Sequence, residues 1–245
     1  MADLVLHDSL VDEYLKFKDN SSFNKSKIQK LFKYILPFSL KDNHPLMQDP
    51  AIKMQLEGSD PLIEISNELD EAILVQRSRL KLMLIDRAIT SIPTFTTVNI
   101  MGIIPEKLQP KYGATYPNAT DKGKAKAHIK ALLSDANWVK ITDGYIANQD
   151  WNQNKTLINE IVPHKAMDLT IVGSNSSTAS FSINASQRQE IENLCTNWVV
   201  KSNSLSTQTH DRYIETDKLK ILLSSGLCHL YELSPKDFTY IIELR

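Results

Sequence analysis

Apolar positions in the first third of the chain recur at helical rather than alternating spacing. Leu4, Leu6, Leu10, Val11 and Leu15 lie among acidic residues, which predicts a short amphipathic helix over 3–17. Ile28, Leu31, Phe32, Ile35 and Leu36 share one helical face, with Lys25, Lys27, Lys30 and Lys33 around the other, until Pro37 stops the run. That lysine face reads first as solvated surface and second as a nucleic-acid contact. Pro45, Pro50, Gly58 and Pro61 then punctuate a connector with room for a short helix near 51–56. From Pro61 to Ile92, Ile65, Leu69, Ile73, Leu80 and Leu84 predict a long helix, suited to intramolecular core, a helical hairpin or an oligomer seam.

Residues 93–120 mix β-branched runs with Pro105, Pro110, Gly113 and Pro117 and are expected to be rich in loops. The texture then changes. ATDKGKAKAHIKALL reads as a helix, WVKITDGYI as a strand, NKTLINEIVPHK as a helix and AMDLTIVGS as a strand. SQRQEIENLCTNWVVKSN follows as a helix, and HDRYIETD, KLKILLSSGLCHLYEL and DFTYIIEL as strands. Strands alternating with helices predict an α/β sheet with helices on its faces. The organisation expected is a helical N-terminal region over 1–119, serving as a partner or oligomer surface, and an α/β domain over 120–245.

Composition narrows function by exclusion. At 245 residues, with 42% hydrophobic and 23% charged residues, the chain is ordinary for a globular protein with a sizeable core. A net charge of −1 provides no global pull toward polyanions, so anion binding must come from a local patch. Cys195 and Cys228 lack C-x-x-C spacing and read as buried thiols. Acidic residues occupy the start, where a secretory signal needs a basic region, and no apolar run is long enough to span a membrane; a cytoplasmic protein is expected. No phosphate-loop fingerprint, G-x-S-x-G elbow or metal-ligand spacing occurs, so no cofactor or metal is expected. Trp138, Trp151 and Trp198 are too scattered for a base-stacking platform.

One short stretch carries chemistry. In HDRYIETD, His210 and Arg212 stand two residues apart, so an extended strand presents both on one face. An imidazole can form a covalent phosphoenzyme, a guanidinium can clamp phosphate oxygens, and a carboxylate such as Asp217 can orient a histidine. Lys122, Lys124 and Lys126, on the preceding helix, are either a solvated face or a phosphate-tracking rim.

The spacing H-x-R-x4-D of His210, Arg212 and Asp217 resembles the H-x-K-x4-D signature of the phospholipase D superfamily. With Asp143, Tyr145 and Ile146, the triplet His210-Asp211-Arg212, and Ser225-Gly226-Leu227, residues 120–245 look like the phospholipase-D-like domain found at the C-terminus of microtubule-interacting-and-trafficking domain proteins and in bacterial relatives. The resemblance implies a mixed sheet flanked by helices, with the triplet at a phosphate-binding cleft and Asp143, Tyr145, Asp211 and Gly226 as framework. It implies acidic-phospholipid binding in the eukaryotic branch, and a setting of antiviral defence or mobile elements in the bacterial one.

Two departures matter. Ser224 to Cys228 stand where relatives tend to read G-R-G-L-D, which removes a cation and an acid. Arg212 replaces the lysine of active enzymes, and a planar fork does not occupy the place of a point-charge ammonium. Enzymes of this class also bring two histidines together, and this chain carries one copy of the motif. His164 and His229 lack the flanking signature, so a two-fold homodimer would supply the second His210. Two functions follow from the same residues: a metal-independent phosphodiesterase, most simply a nuclease, or a phosphate-binding module for nucleic acid or phospholipid headgroups that serves as subunit of a larger complex.

Overall fold

The structure is a computed structural model and describes residues 2–245 except 20, 35–36, 51–61, 104–105, 108–111, 118, 176–179, 207–209, 232–233 and 235. It is α/β throughout and divides into two compact units, Met1–Pro110 and Lys111–Arg245.

The first unit carries strands β1 (Leu4–Leu6), β2 (Phe38–Lys41), β3 (Ile63–Ser66), β4 (Met83–Ile85) and β5 (Thr97–Asn99), a parallel sheet of order β3-β2-β1-β4-β5. Helices α1 (Asp8–Lys18), α2 (Lys25–Leu31) and α3 (Glu71–Arg77) lie between the strands in sequence. This corrects the expectation of a helical N-terminal region. Leu4–Leu6 and Met83–Ile85 are buried at every residue, because both faces of a parallel sheet are covered. A short apolar run buried on both faces has no period of two, so it blends into the helical spacing of its neighbours. Pro61–Ile92 is likewise not one long helix. Ile65 lies in β3, Ile73 in α3 and Leu84 in β4, while Asp70 caps α3 by accepting from the Ala72 backbone N–H. The helix expected near 51–56 lies outside the described residues.

The second unit begins with β7 (Tyr112–Tyr116), following the two-residue strand β6 (Glu106–Lys107) of the first. It continues through α4 (Ala119–Leu133), β8 (Trp138–Asp143), α5 (Trp151–Ile161), β9 (Met167–Ser174) and α6 (Ala185–Glu192). It ends with β10 (Trp198–Leu205), β11 (Arg212–Thr216), β12 (Leu219–Leu223) and β13 (Phe238–Leu244). The strand order is β10-β9-β8-β11-β12-β13-β7. β8, β9 and β10 run parallel, joined by α5 and α6, whereas β11, β12, β13 and β7 pair antiparallel in turn. The sheet is thus mixed and flanked by helices. Three segments differ from the sequence reading: Trp198–Leu205 is a strand, Tyr112–Tyr116 is regular structure inside a stretch expected to be loop, and KLKILLSSGLCHLYEL is not one strand, since β12 ends at Leu223 and Leu227–Leu230 form a one-turn helix.

The core between α4 and the strands is partly polar. Buried His128 sits 2.7 Å from the Tyr240 hydroxyl through Nδ1, and the Tyr112 hydroxyl is 3.3 Å from the same oxygen. Burial, then the neighbouring tyrosines, push the Tyr240 phenol well above its ordinary range.

Leu80 is 2% exposed and Leu69 is 60% exposed, which separates two positions that look equivalent in the apolar spacing. Leu80→Asp is expected to cost about 4 kcal/mol or more, since an unpaired charge enters a packed core, and Leu69→Asp to stay within about 0.5 kcal/mol of the parent. Urea denaturation of the two variants side by side measures the difference.

Candidate phosphate-binding site

β8 and β11 are antiparallel neighbours, and their register pairs Arg212 with Asp143. This places the end of β8 beside the start of β11. Asp143 is buried and accepts three hydrogen bonds. Its Oδ1 takes the Tyr145 backbone N–H at 3.0 Å and Arg212 Nε at 3.4 Å, and its Oδ2 takes the Leu227 backbone N–H at 2.9 Å. The carboxylate therefore ties the β8–α5 loop, β11 and the segment after β12 to one point.

The Arg212 side chain is 16% exposed and held twice, by Asp143 at Nε and by the His210 carbonyl, which accepts from Nη1 at 3.1 Å. Its guanidinium carbon lies 5.6 Å from the centre of the Tyr145 ring. The His210 ring, exposed and just outside β11, lies 6.0 Å from that ring, and Phe181 packs at 5.0 Å from it. Tyr145 is thus the shared wall between the cation and the imidazole.

Glycine fits closely at one nearby position and is required at another. A Cβ on Gly226 would stand 3.3 Å from Asp143 Oδ2 and 3.8 Å from Arg212 Nε. A Cβ on Gly173 would stand 2.4 Å from the Phe181 carbonyl oxygen, inside any permitted contact with backbone. Gly173 thereby lets the 181–182 segment cross β9 closely, and Ser174 Oγ donates to the Gly144 carbonyl beside it at 2.6 Å.

A one-turn helix, Leu227–Leu230, brings two further groups to this end of the sheet. Burial, then the charges of Asp150 and Asp143, push the Cys228 thiol up to about 12, so it is an inert thiol rather than a nucleophile. Burial, then the Lys236 charge, lowers the His229 pKa against the opposing pull of Asp150, with Lys122 and Arg212 adding to the lowering. Its Nδ1 pairs with Ser234 Oγ at 2.9 Å. The sequence offered no flanking signature to mark His229; its place near the Arg212 charge comes from the turn after β12.

The expected site residues do not all converge. Asp143, Tyr145, His210, Arg212 and Gly226 gather at one end of β11, with Asp211 exposed beside them. Asp217 does not join them. It follows the opposite end of β11 and accepts from the Asn137 backbone N–H at 3.0 Å and from Asn137 Nδ2 at 2.7 Å. An extended strand rises roughly 3.3 Å per residue, so Asp217 stands on the order of 15 Å from Arg212 and fastens a turn. Nor do the lysines form a free rim. Lys122 is buried and its Nζ donates to the Ser234 carbonyl at 2.5 Å, with burial lowering its pKa; Lys126 pairs with Glu160 at 2.9 Å; Lys124 is half-buried on the same helix. Among the described residues, no group of three or more His, Cys, Asp or Glu is arranged to hold a metal, and no helix is long and apolar enough to cross a membrane.

Asp143→Ala is expected to destabilise the chain by about 3–5 kcal/mol, because it strands a half-buried guanidinium and leaves two backbone N–H groups unpaired. The denaturation midpoint of the variant checks this.

Comparison with known proteins adds little. No protein-family model matches the chain, and no curated protein matches it significantly. Among solved structures, NucT from Helicobacter pylori aligns over 53% of this chain and 84% of its own, at 12% identity and a TM-score of 0.33. TrmBL2, an archaeal chromatin protein whose structure is described as showing a novel mode of DNA binding, aligns over 53% of this chain and 45% of its own, at 10% identity and a TM-score of 0.26. These likenesses are too slight to assign either fold or function.

Proposed function

We propose that the second unit is a metal-independent phosphodiesterase, most simply a nuclease, that works through His210. The observation that carries this reading is the fixed Arg212 guanidinium beside an exposed imidazole, both against Tyr145. The resemblance of the H-x-R spacing to the phospholipase D signature points the same way. Arg212 binds a non-bridging phosphate oxygen, and Asp143 holds the fork in place so that little reorganisation accompanies binding.

In this mechanism a His210 ring nitrogen attacks phosphorus, a P–N bond forms and the bond to the leaving oxygen breaks. A second histidine gives that oxygen its proton, then takes one from the water that hydrolyses the phosphohistidine. The His210 of a second copy, across a two-fold axis, is the proposed proton carrier. Asp217 acts on this site only through the strand it fastens.

The second reading, a module that binds a phosphate-bearing polymer or headgroup without cleaving it, is favoured by the same restraint on Arg212. With Nε and Nη1 already engaged, the fork grips one oxygen pair well but does not stand where a lysine ammonium would.

Labelled single- and double-stranded DNA and RNA are incubated with the full chain in excess chelator. His210→Ala is expected to abolish cleavage while binding persists, and Arg212→Ala to lower the rate by about 10²–10³. Cleavage by His210→Ala equal to the parent removes the nucleophile assignment. Binding without cleavage, weakened by Arg212→Ala, selects the binding module.

A further inference from the structure

The first unit carries a polar cleft, lined by none of the residues around His210. Every residue that lines it follows the C-terminal end of a parallel strand or ends one: His7 and Asp8 after β1, Lys41 at the end of β2, Leu69, Asp70, Glu71 and Ala72 after β3, and Arg87, Ser91 and Ile92 after β4. The strand order β3-β2-β1-β4-β5 reverses between β1 and β4, and the carboxyl-end crevice at such a reversal is where open parallel sheets receive ligands. The cleft holds about 370 Å³, enough for a small molecule.

Its groups are ordered before any ligand arrives. Lys41 Nζ sits 3.0 Å from Asp8 Oδ2 and 3.4 Å from Glu71 Oε1. Burial opposes its charge, but the hydrogen bond to Asp8 and the fields of Glu71 and Asp8 prevail and raise its pKa. Beneath His7, Ser9 Oγ is 2.6 Å from Asp86 Oδ1 and 2.7 Å from His7 Nδ1, and Asp86 pairs with Lys27 at 2.6 Å. The single hydroxyl proton goes to the anionic Asp86, the stronger acceptor. His7 Nδ1 accepts the Ser9 backbone N–H at 3.3 Å, which seats the imidazole at the start of α1.

The cleft therefore offers two kinds of contact. Arg87 is exposed and, among the described residues, has no hydrogen-bond or ion-pair partner, which leaves an open fork for one anionic group. Asp70, Glu71 and Asp8 are acceptors for several donors, and with three carboxylates against two cations they disfavour a ligand of high negative charge. The β1–α1 turn, His7-Asp8-Ser9, has no glycine to let a diphosphate approach the backbone, and Asp8 stands at its mouth.

From this geometry we infer that the N-terminal cleft binds a monophosphorylated sugar, with the phosphate on Arg87 and the sugar hydroxyls donating to the carboxylates. A nucleoside monophosphate and a free pentose phosphate share this chemistry.

Isothermal titration of the full chain carrying Arg212→Ala, which weakens the second unit's proposed phosphate seat, tests the inference. The probes are AMP, UMP, ribose 5-phosphate, adenosine and inorganic phosphate. Ribose 5-phosphate and the monophosphates are expected to bind, adenosine and inorganic phosphate to bind at least about tenfold more weakly, and Arg87→Ala to weaken the phosphorylated probes about tenfold or more. Binding of the nucleotides alone makes the source a nucleotide; equal binding of ribose 5-phosphate makes it a free sugar phosphate. No heat from any phosphorylated sugar at millimolar concentration, or binding that Arg87→Ala leaves unchanged, overturns the inference. Because Arg87 is exposed, its substitution leaves the fold intact, which circular dichroism of the variant checks.

Discussion

The candidate phosphate-binding site depends on one buried carboxylate. Asp143 accepts Arg212 Nε and the backbone N–H groups of Tyr145 and Leu227, which belong to segments far apart in sequence. A carboxylate removed from water is tolerated only if its lone pairs are filled, and here two amides and a guanidinium fill them. The same requirement sets the direction of the arginine fork and the position of the turn after β12, and it keeps residue 226 small. A charged clamp placed in this way needs little rearrangement to meet an anion.

The neighbouring groups follow from that constraint. The Tyr145 ring is presented by the loop that Asp143 fixes and becomes the wall between Arg212 and His210. Burial, with the negative charges of Asp150 and Asp143, keeps the Cys228 thiol protonated, so the reactive candidate at this end of the sheet is an imidazole. The first unit solves a similar problem with a different network, in which Lys27, Asp86, Ser9 and His7 are linked in series at the turning point of a parallel sheet.

The second unit was legible where strands alternate. In Trp138–Ile141 and Phe238–Glu243, more and less buried positions take turns, so the period of two is visible. The first unit was not legible as a sheet, because Leu4–Leu6 and Met83–Ile85 are covered on both sides and three apolar residues in a row fit a helix face as well as a strand. Leu69 and Leu80 illustrate the loss: identical residues at helical spacing, one open to solvent and one sealed in the core.

The sequence by itself set His210 and Arg212 two residues apart, the spacing that an extended strand turns to one side, and the family resemblance pointed to Asp143, Tyr145 and Gly226 as framework. Only the tertiary structure decided which other groups join them. Asp217 has the spacing of the signature but lies at the far end of β11, bonded to Asn137, and Lys122 is turned inward to the Ser234 carbonyl. His7, Lys41, Glu71 and Arg87 share no motif and meet only because parallel strands end on the same side of a sheet. Local spacing fixes what a single strand presents; which strands lie side by side is set by burial and pairing across the whole chain, and no short stretch of sequence contains that information.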